Sequence, residues 1–156
     1  MRLRKFLRRS REEQRLVLTA LYWVACIRAG LWLLPFRFLR PVVERASRHP
    51  GPEVTDELVA ARVAWAISSA ARFVPRATCV TQALAARILL ARRGLASEVC
   101  YGVGRRQGRI IAHAWLESGG RVIVGDQSLE SLLPLASLER RMGERSMRVE
   151  TWAANA

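Results

Sequence analysis

Apolar and polar positions divide the chain into a helical first part and a strand-rich second part. Residues 16–36 are apolar nearly all round up to Pro35, and residues 55–74 and 79–91 repeat apolar side chains at a helical period. Alternation then predicts three short strands, over 97–103, 109–117 and 121–126, with turns at 104–108 and 118–120. This order predicts an α+β fold in which N-terminal helices precede a helix that packs on a small antiparallel sheet.

Capping residues sharpen the limits of two of these helices. Thr55 is a good N-cap for the helix over 55–74, which Pro75 ends. Thr78 is the expected N-cap of the next helix, so Cys79 takes its first position, and Gly94 is a stop signal after its last turn. The apolar face predicted for the helix over 55–74 comprises Leu58, Val59, Val63, Trp65, Ile67 and Phe73.

The basic and apolar N-terminal segment, residues 1–50, has two interpretations. In the first, the helix over 16–36 packs on the core or on a partner, with Trp23 and Trp32 in the contact. In the second, it lies at a membrane interface, with arginines at lipid headgroups and aromatic side chains at the boundary. Packing is favoured because the segment is apolar nearly all round rather than two-faced. A secretory signal and a membrane span fit poorly, since no cleavage site closes the run and Arg28 interrupts it.

Charge and cysteine usage exclude several functions. The 156 residues carry a formal net charge of +13, and residues 1–50 hold 12 of the 26 basic side chains but 3 of the 13 acidic ones. Nucleic-acid binding is not expected, because no helix-turn-helix, zinc knuckle or aromatic sheet signature accompanies this charge. Three cysteines without a C-x-x-C pair, with two histidines, argue against a disulfide framework or a zinc site. A reducing, cytoplasmic compartment and no metal or cofactor are therefore expected.

Cys79 has the position of a nucleophile. A thiol in the first turn of a helix feels unpaired backbone N–H groups and the positive end of the helix dipole, and both favour the thiolate. Taken alone, a structural cysteine is still the better explanation, because free cysteine is among the most buried residue types. Cys100 lies in a predicted strand without such a field, and we expect it to be buried and inert.

A histidine and an aspartate favour a catalytic over a structural role for Cys79. If Gly119 and Gly120 form a two-residue hairpin loop, the resulting register puts His113 directly opposite Asp126. Opposed residues share a face of the sheet with Cβ atoms about 5 Å apart, the spacing at which a carboxylate orients an imidazole. Nucleophile, base and orienting group together favour a thiol hydrolase over an ordinary cross-strand pair.

Around these residues the sequence resembles a known family. The segments RATCVTQALAARILLARRG, YGV and AHAWLESGGRVIVGD are similar to the B2 leader peptidases of lasso-peptide biosynthesis, in the transglutaminase-like cysteine peptidase superfamily. The approach FVPRATC and the arginine-bounded apolar helix extend the resemblance from about residue 10 to about residue 135. It implies a papain/transglutaminase-like fold with the peptidase core over residues 51–137. The tail over 138–156 has no assigned role.

The resemblance also implies roles for individual residues. It makes Cys79 the nucleophile, His113 the base and Asp126 the orienting carboxylate. The backbone N–H of Cys79 is the natural oxyanion donor, because it is a free helix-end amide. Trp115 and Gln82 are candidates for a second donor, and Trp115 also for shielding the imidazole from water.

The activity implied by the resemblance is removal of the leader from a ribosomally made precursor peptide. An ATP-using cyclase would then close the macrolactam. Residues 1–50 resemble no leader-recognition domain, so a separate B1 leader-recognition protein is the expected partner. Two alternatives stay open: a transglutaminase-like acyltransferase with an amine as acceptor, and a non-catalytic subunit that binds the precursor or the cyclase. Peripheral membrane contact is a further alternative to a purely cytoplasmic location.

Overall fold

Helices packed on an antiparallel sheet make up the described part of the chain. The computed structural model describes residues 9–47, 56–106, 109–125 and 132–134. The helices are α1 (Arg11–Leu33), α2 (Phe36–Ala46), α3 (Glu57–Ala71) and α4 (Cys79–Ala91), and the strands are β1 (Glu98–Arg106), β2 (Arg109–Ser118), β3 (Arg121–Val124) and β4 (Leu132–Pro134). The strands lie in the order β3, β2, β1, β4, and neighbouring strands are antiparallel. The predicted α+β class is confirmed.

One hydrophobic core joins α1 to the rest of the fold. Its members include Leu16, Val24 and Ile27 of α1, Val63 and Ile67 of α3, Leu84, Ile88 and Leu89 of α4, and Val99, Leu116 and Val124 of the sheet. α1 packs against α3 and α4, and α4 packs against β2. Removing this apolar surface from water is the main source of stability. The N-terminal helix is therefore part of the same core as the sheet.

The two N-terminal helices meet at a proline. The backbone N–H of Leu34 closes α1 by donating to the Gly30 carbonyl at 2.8 Å, and Pro35 is the N-cap of α2. The sequence predicts no separate helix over residues 36–46, and the structure contains one there although Pro41 lies inside it, a position that proline usually opposes. Trp23 packs against the core, whereas Trp32 is 78% exposed and takes no part in packing on the core.

α3 begins one residue later than its predicted cap implies. Asp56 is the N-cap, and its carboxylate accepts hydrogen bonds from the backbone N–H groups of Leu58 at 3.0 Å and Val59 at 3.1 Å. Thr55 lies outside the described residues. The predicted apolar face is also too broad: Leu58 is 79% exposed, and Phe73, beyond the end of the helix, is 63% exposed.

The hairpin between β1 and β2 is tighter than predicted. Gly104 and the next two residues pair with β2 rather than forming a turn, and the register runs without a break from Glu98 opposite Glu117 to Arg106 opposite Arg109. The predicted turn over 104–108 is therefore wrong over its first three residues. Glycine is compatible with a strand, and here its pairing with Ile111 outweighs the turn preference.

The predicted register between β2 and β3 holds for only two residue pairs. Ser118 pairs with Arg121 and Glu117 with Val122, as the glycine loop predicts. The register then shifts between Leu116 and Glu117, so that Leu116 pairs with Val124. An irregularity of this kind inserts one extra residue into a strand and changes every later pairing. The prediction that one unbroken register reaches position 126 is therefore wrong, and β3 ends at Val124.

Candidate active site at the start of the cysteine helix

The start of α4 is built as the sequence predicts. Thr78 is the N-cap, and its hydroxyl accepts a hydrogen bond from the Thr81 backbone N–H at 3.4 Å. The two threonine hydroxyls lie 3.0 Å apart, and the Gln82 N–H donates to the Thr78 carbonyl at 3.1 Å. Cys79 is the first residue of the helix and is half-buried. Its thiol therefore sits at the positive end of the helix dipole and remains accessible.

Two backbone amides at this end of the helix are free to bind an anion. Within the part of the chain that the structure describes, the N–H groups of Cys79 and Val80 have no acceptor. The first amides of a helix lack intrahelical partners, so they supply partial positive charge without reorganisation. The Cys79 amide predicted as oxyanion donor thus has no competing acceptor among the described residues, and the Val80 amide, which was not predicted, is in the same state.

His113 is held by a backbone carbonyl. Its Nε2 atom lies 2.8 Å from the carbonyl oxygen of Gly125. A carbonyl oxygen accepts hydrogen bonds but cannot donate them, so Nε2 carries the proton in the neutral ring. In that tautomer the Nδ1 lone pair is free to accept a proton. The imidazole is therefore prepared to act as a base through Nδ1.

Gly125 belongs to the candidate site through its carbonyl, although it was not among the predicted site residues. Its φ of +96° lies in the left-handed region, which favours glycine. A Cβ atom at this position would lie 3.0 Å from the Ala114 carbonyl oxygen and 3.0 Å from the Trp115 Cβ atom. Only glycine therefore allows the chain to approach β2 closely enough for its carbonyl to reach His113. A glycine directly after a strand and next to the predicted carboxylate was the available signal.

Asp126, the predicted orienting carboxylate, lies outside the described residues. Its predicted place opposite His113 requires an unbroken register, which the shift at Leu116 removes. What remains is its position in the sequence, directly after the glycine that binds the imidazole.

The two predicted auxiliary residues differ in their surroundings. The Trp115 ring is buried, and its indole N–H donates to Glu117 Oε1 at 2.6 Å, so that proton is not free for an oxyanion. Gln82 is half-buried, and its side-chain amide donates to the Ala77 carbonyl at 3.4 Å. Trp115 lies two residues from His113 on the same face of β2, as shielding of the imidazole requires.

The other two cysteines provide a contrast with Cys79. Cys26 is exposed on α1, and Cys100 is half-buried in β1. Burial raises the pKa of the Cys100 thiol to about 11, with further contributions from the carboxylates of Glu117 and Glu98. Cys100 is therefore a neutral thiol at physiological pH.

The structure brings the two elements of the site together but records no bond between their side chains. α4 packs against β2, and the face of β2 that meets the helical core carries Leu116. His113 lies on the alternate face, with Trp115 and Cys100. Among the described residues, the Cys79 thiol makes no hydrogen bond to His113. Cys79 and His113 are thus each positioned by their own surroundings and not by contact with each other.

Comparisons with known proteins add a family. A family model described as the transglutaminase-like superfamily matches residues 21–137, three quarters of the chain. The match begins within α1 and includes Cys79, His113 and the stretch after β3. No curated protein and no solved structure shows significant similarity to the chain. Within the described residues, no cluster of three or more histidine, cysteine or acidic side chains is suited to a metal ion.

Proposed function

Since the chain belongs to the transglutaminase-like superfamily, which includes cysteine peptidases and acyltransferases, we propose that it is a cysteine peptidase. Its proposed substrate is a ribosomally made lasso precursor peptide, from which it removes the leader. The observation that carries the proposal is the hydrogen bond from His113 Nε2–H to the Gly125 carbonyl, because it leaves Nδ1 as a free base. Cys79 at the start of α4 supplies a suitable nucleophile.

The proposed reaction begins with proton transfer within the site. His113 Nδ1 takes the thiol proton of Cys79, and the thiolate sulfur attacks the carbonyl carbon of the last leader residue. The peptide C=O electrons move onto oxygen, and the amides of Cys79 and Val80 donate to that oxyanion. Asp126, next to Gly125, would stabilise the imidazolium that forms.

Collapse of the tetrahedral intermediate breaks the peptide bond. The protonated His113 gives its proton to the leaving amine, which is the new N-terminus of the core peptide, and the leader remains as a thioester on Cys79. Water then attacks the thioester with His113 again acting as base. The thioester bond breaks, the leader leaves as a carboxylic acid, and the Cys79 thiolate is restored.

Contact between Cys79 and His113 is the step that the proposal requires of the protein. His113 lies on the face of β2 opposite to the one that meets the helical core, so the contact requires a rearrangement of the strand or of the start of α4 and not only the tightening of a long hydrogen bond. We propose that binding of the precursor, presented by a separate B1 leader-recognition protein, brings the two side chains together. The freed core peptide would pass to an ATP-dependent macrolactam cyclase.

The test is alkylation of the folded protein by iodoacetamide over pH 5 to 9, with the modified cysteine located by mass spectrometry. We expect Cys79 to react at lower pH than Cys26, which is exposed and serves as the internal reference. In the His113→Ala variant this advantage should disappear. The same pair is then compared in a leader-cleavage assay with precursor peptide and B1 protein.

Each result leads to a different conclusion. If Cys79 reacts no faster than Cys26, with and without precursor and B1 protein, the peptidase proposal fails and a non-catalytic binding subunit takes its place. If Cys79 forms a thioester that an added amine releases much faster than water does, the protein is an acyltransferase. Cleavage that is lost in Cys79→Ala and in His113→Ala supports the peptidase.

A further inference from the structure

An apolar stripe covers the outer face of α1. Each of its residues lies three or four positions from another member, and all are exposed: Leu18, Tyr22, Cys26, Ala29, Trp32 and Leu33. The exposed fractions of the large side chains are 56% for Leu18, 61% for Tyr22, 78% for Trp32 and 70% for Leu33. The stripe extends for about 22 Å, at the usual rise along a helix. Soluble proteins rarely expose a contiguous apolar surface of this kind unless something binds it.

The same exposure continues into α2. Leu34 follows the stripe directly and is 50% exposed, and Phe38 and Val42, one helical turn apart, are 52% and 60% exposed. The guanidinium of Arg37 lies 4.8 Å from the centre of the Phe38 ring. The apolar surface therefore passes through the junction of the two helices and has an arginine beside it.

The charge around the stripe is of one sign. Between Glu13 and Glu44 the chain has no acidic residue, but it has four arginines: Arg15, Arg28, Arg37 and Arg40. Arg15, at one end of the stripe, and Arg37, beyond the other end, are exposed. An occupant of the stripe must therefore combine apolar groups with negative charge at both ends.

We propose that the stripe docks this protein on an anionic lipid surface, with α1 lying in the plane of the interface. Acyl chains would cover the apolar side chains, and lipid phosphates would pair with the flanking arginines. Tyr22 and Trp32 have the amphipathic rings that favour the boundary between hydrocarbon and headgroups.

Two other arrangements fit less well. α1 is long and apolar enough to cross a bilayer, but its inner face is buried against α3 and α4, and spanning would remove those contacts. A second copy of this chain would set arginines at the ends of one stripe against arginines of the other, and Glu12, the acidic side chain one turn from Arg15, is already paired with Arg62 at 3.3 Å. A lipid surface satisfies both the apolar and the electrostatic requirement.

The experiment is flotation of the full-length chain with vesicles. One set contains phosphatidylcholine alone, and the other also contains about one-third phosphatidylglycerol to supply negative surface charge. We expect binding to the anionic set, at least tenfold weaker binding to the neutral set, and release by high salt. Cys79→Ala should bind equally well, so the outcome is independent of the proposed peptidase activity.

Matched variants distinguish binding through the stripe from binding through any exposed apolar side chain or any exposed arginine. Trp32→Ser/Leu33→Ser should weaken binding at least tenfold, whereas Leu58→Ser/Phe73→Ser, which removes equally exposed apolar side chains elsewhere, should leave it unchanged. Arg15→Gln/Arg37→Gln should weaken binding by roughly fivefold per arginine. The control Arg72→Gln/Arg109→Gln removes two exposed arginines away from the stripe and should have a smaller effect.

Several outcomes would overturn the proposal. A chain that stays with the soluble fraction for every vesicle would leave a protein partner as the occupant. Vesicle binding that both arginine pairs reduce equally, and that Trp32→Ser/Leu33→Ser does not reduce, would be non-specific charge attraction. A dimer in analytical ultracentrifugation that this same apolar variant dissociates would identify a second copy. Finally, a fluorophore on Cys26, with Cys79 and Cys100 replaced, should shift to the blue on anionic vesicles; an unchanged spectrum contradicts docking through this face.

Discussion

The start of α4 and the strand pair around His113 show two ways of placing a functional residue. Thr78 and Cys79 are positioned by contacts within four residues of sequence, through a cap and the first helical turn. His113 is positioned by Gly125, twelve residues away and on the far side of a register shift. The first arrangement can be predicted from the sequence because its contacts are local. The second cannot, because it depends on how two strands pair.

The difference also concerns what each position tolerates. A helix N-cap accepts several residue types with similar side-chain oxygens. The carbonyl that holds His113 depends on a left-handed backbone and on an approach to β2 that leaves no room for a side chain. We therefore expect the strand pair to be the more fragile half of the site.

The largest effect should come from the residues around the imidazole. On the proposed mechanism, His113→Ala lowers the rate of leader cleavage by about 10⁴-fold, the upper range for loss of a general base. Asp126→Asn should lower it by only about 10²-fold, because the Gly125 carbonyl still binds Nε2–H and fixes the tautomer. Single-turnover kinetics measure both. Equal losses would mean that the carbonyl does not orient the ring without the carboxylate.

Gly125→Ala should be the most destabilising single change at the site. The new Cβ would meet the Ala114 carbonyl oxygen and the Trp115 Cβ atom at 3.0 Å in a left-handed backbone, costing about 2–3 kcal/mol of unfolding free energy. The matched control is Gly120→Ala, which has a φ of +73° but no neighbouring atom within 4 Å. It should cost about 1 kcal/mol, from the backbone alone. Urea denaturation compares the two, and equal costs would show that contact with β2 is unimportant.

Thr78→Ala tests the N-cap of α4, which depends on local contacts alone. Loss of the hydroxyl that accepts from the Thr81 N–H should cost about 1 kcal/mol and should slow alkylation of Cys79, because the first turn of α4 frays. Thr78→Ser keeps the oxygen and should restore both the stability and the labelling rate. If serine fails to restore them, the methyl group rather than the cap is responsible.

The smallest effect is a dependence of stability on alkaline pH. The pKa of the Cys100 thiol rises from 9.0 to about 11 in the folded protein, so folding favours its neutral form. This contribution is present in full below pH 9 and is lost as pH rises from 9.0 towards about 11. The midpoint of urea denaturation should therefore fall less over this range in Cys100→Ala than in the unmodified protein. Parallel curves would mean that the thiol titrates normally.

Much of the fold could be predicted from hydrophobic periodicity and caps. The order of α1, α3, α4, β1, β2 and β3, the Thr78 cap and the glycine loop after Ser118 are local features that the structure contains, whereas α2 and β4 were not predicted. The pairing beyond Glu117 could not be predicted, because one inserted residue changes every later partner and leaves no distinct mark in the sequence.

In the candidate site, too, local features could be predicted and features that depend on strand pairing could not. The position of Cys79 at a helix start followed from its spacing to the cap, and the burial of Trp115 agreed with an apolar strand. The role of the Gly125 carbonyl could not be predicted, because a backbone acceptor has no side chain to identify it. Asp126 remains a prediction that the described residues do not test.

The position of α1 in the core has a consequence for protein engineering. A shortened version beginning at residue 51 would lose seven buried apolar side chains and would expose the apolar faces of α3 and α4; the seven are Leu16, Val17, Ala20, Val24 and Ile27 of α1 and Leu39 and Val43 of α2. The helix is therefore not a detachable module, even though its outer face suits a separate purpose. A reporter or affinity tag is better joined ahead of Ser10, where the exposed cap leaves the packed face of α1 undisturbed.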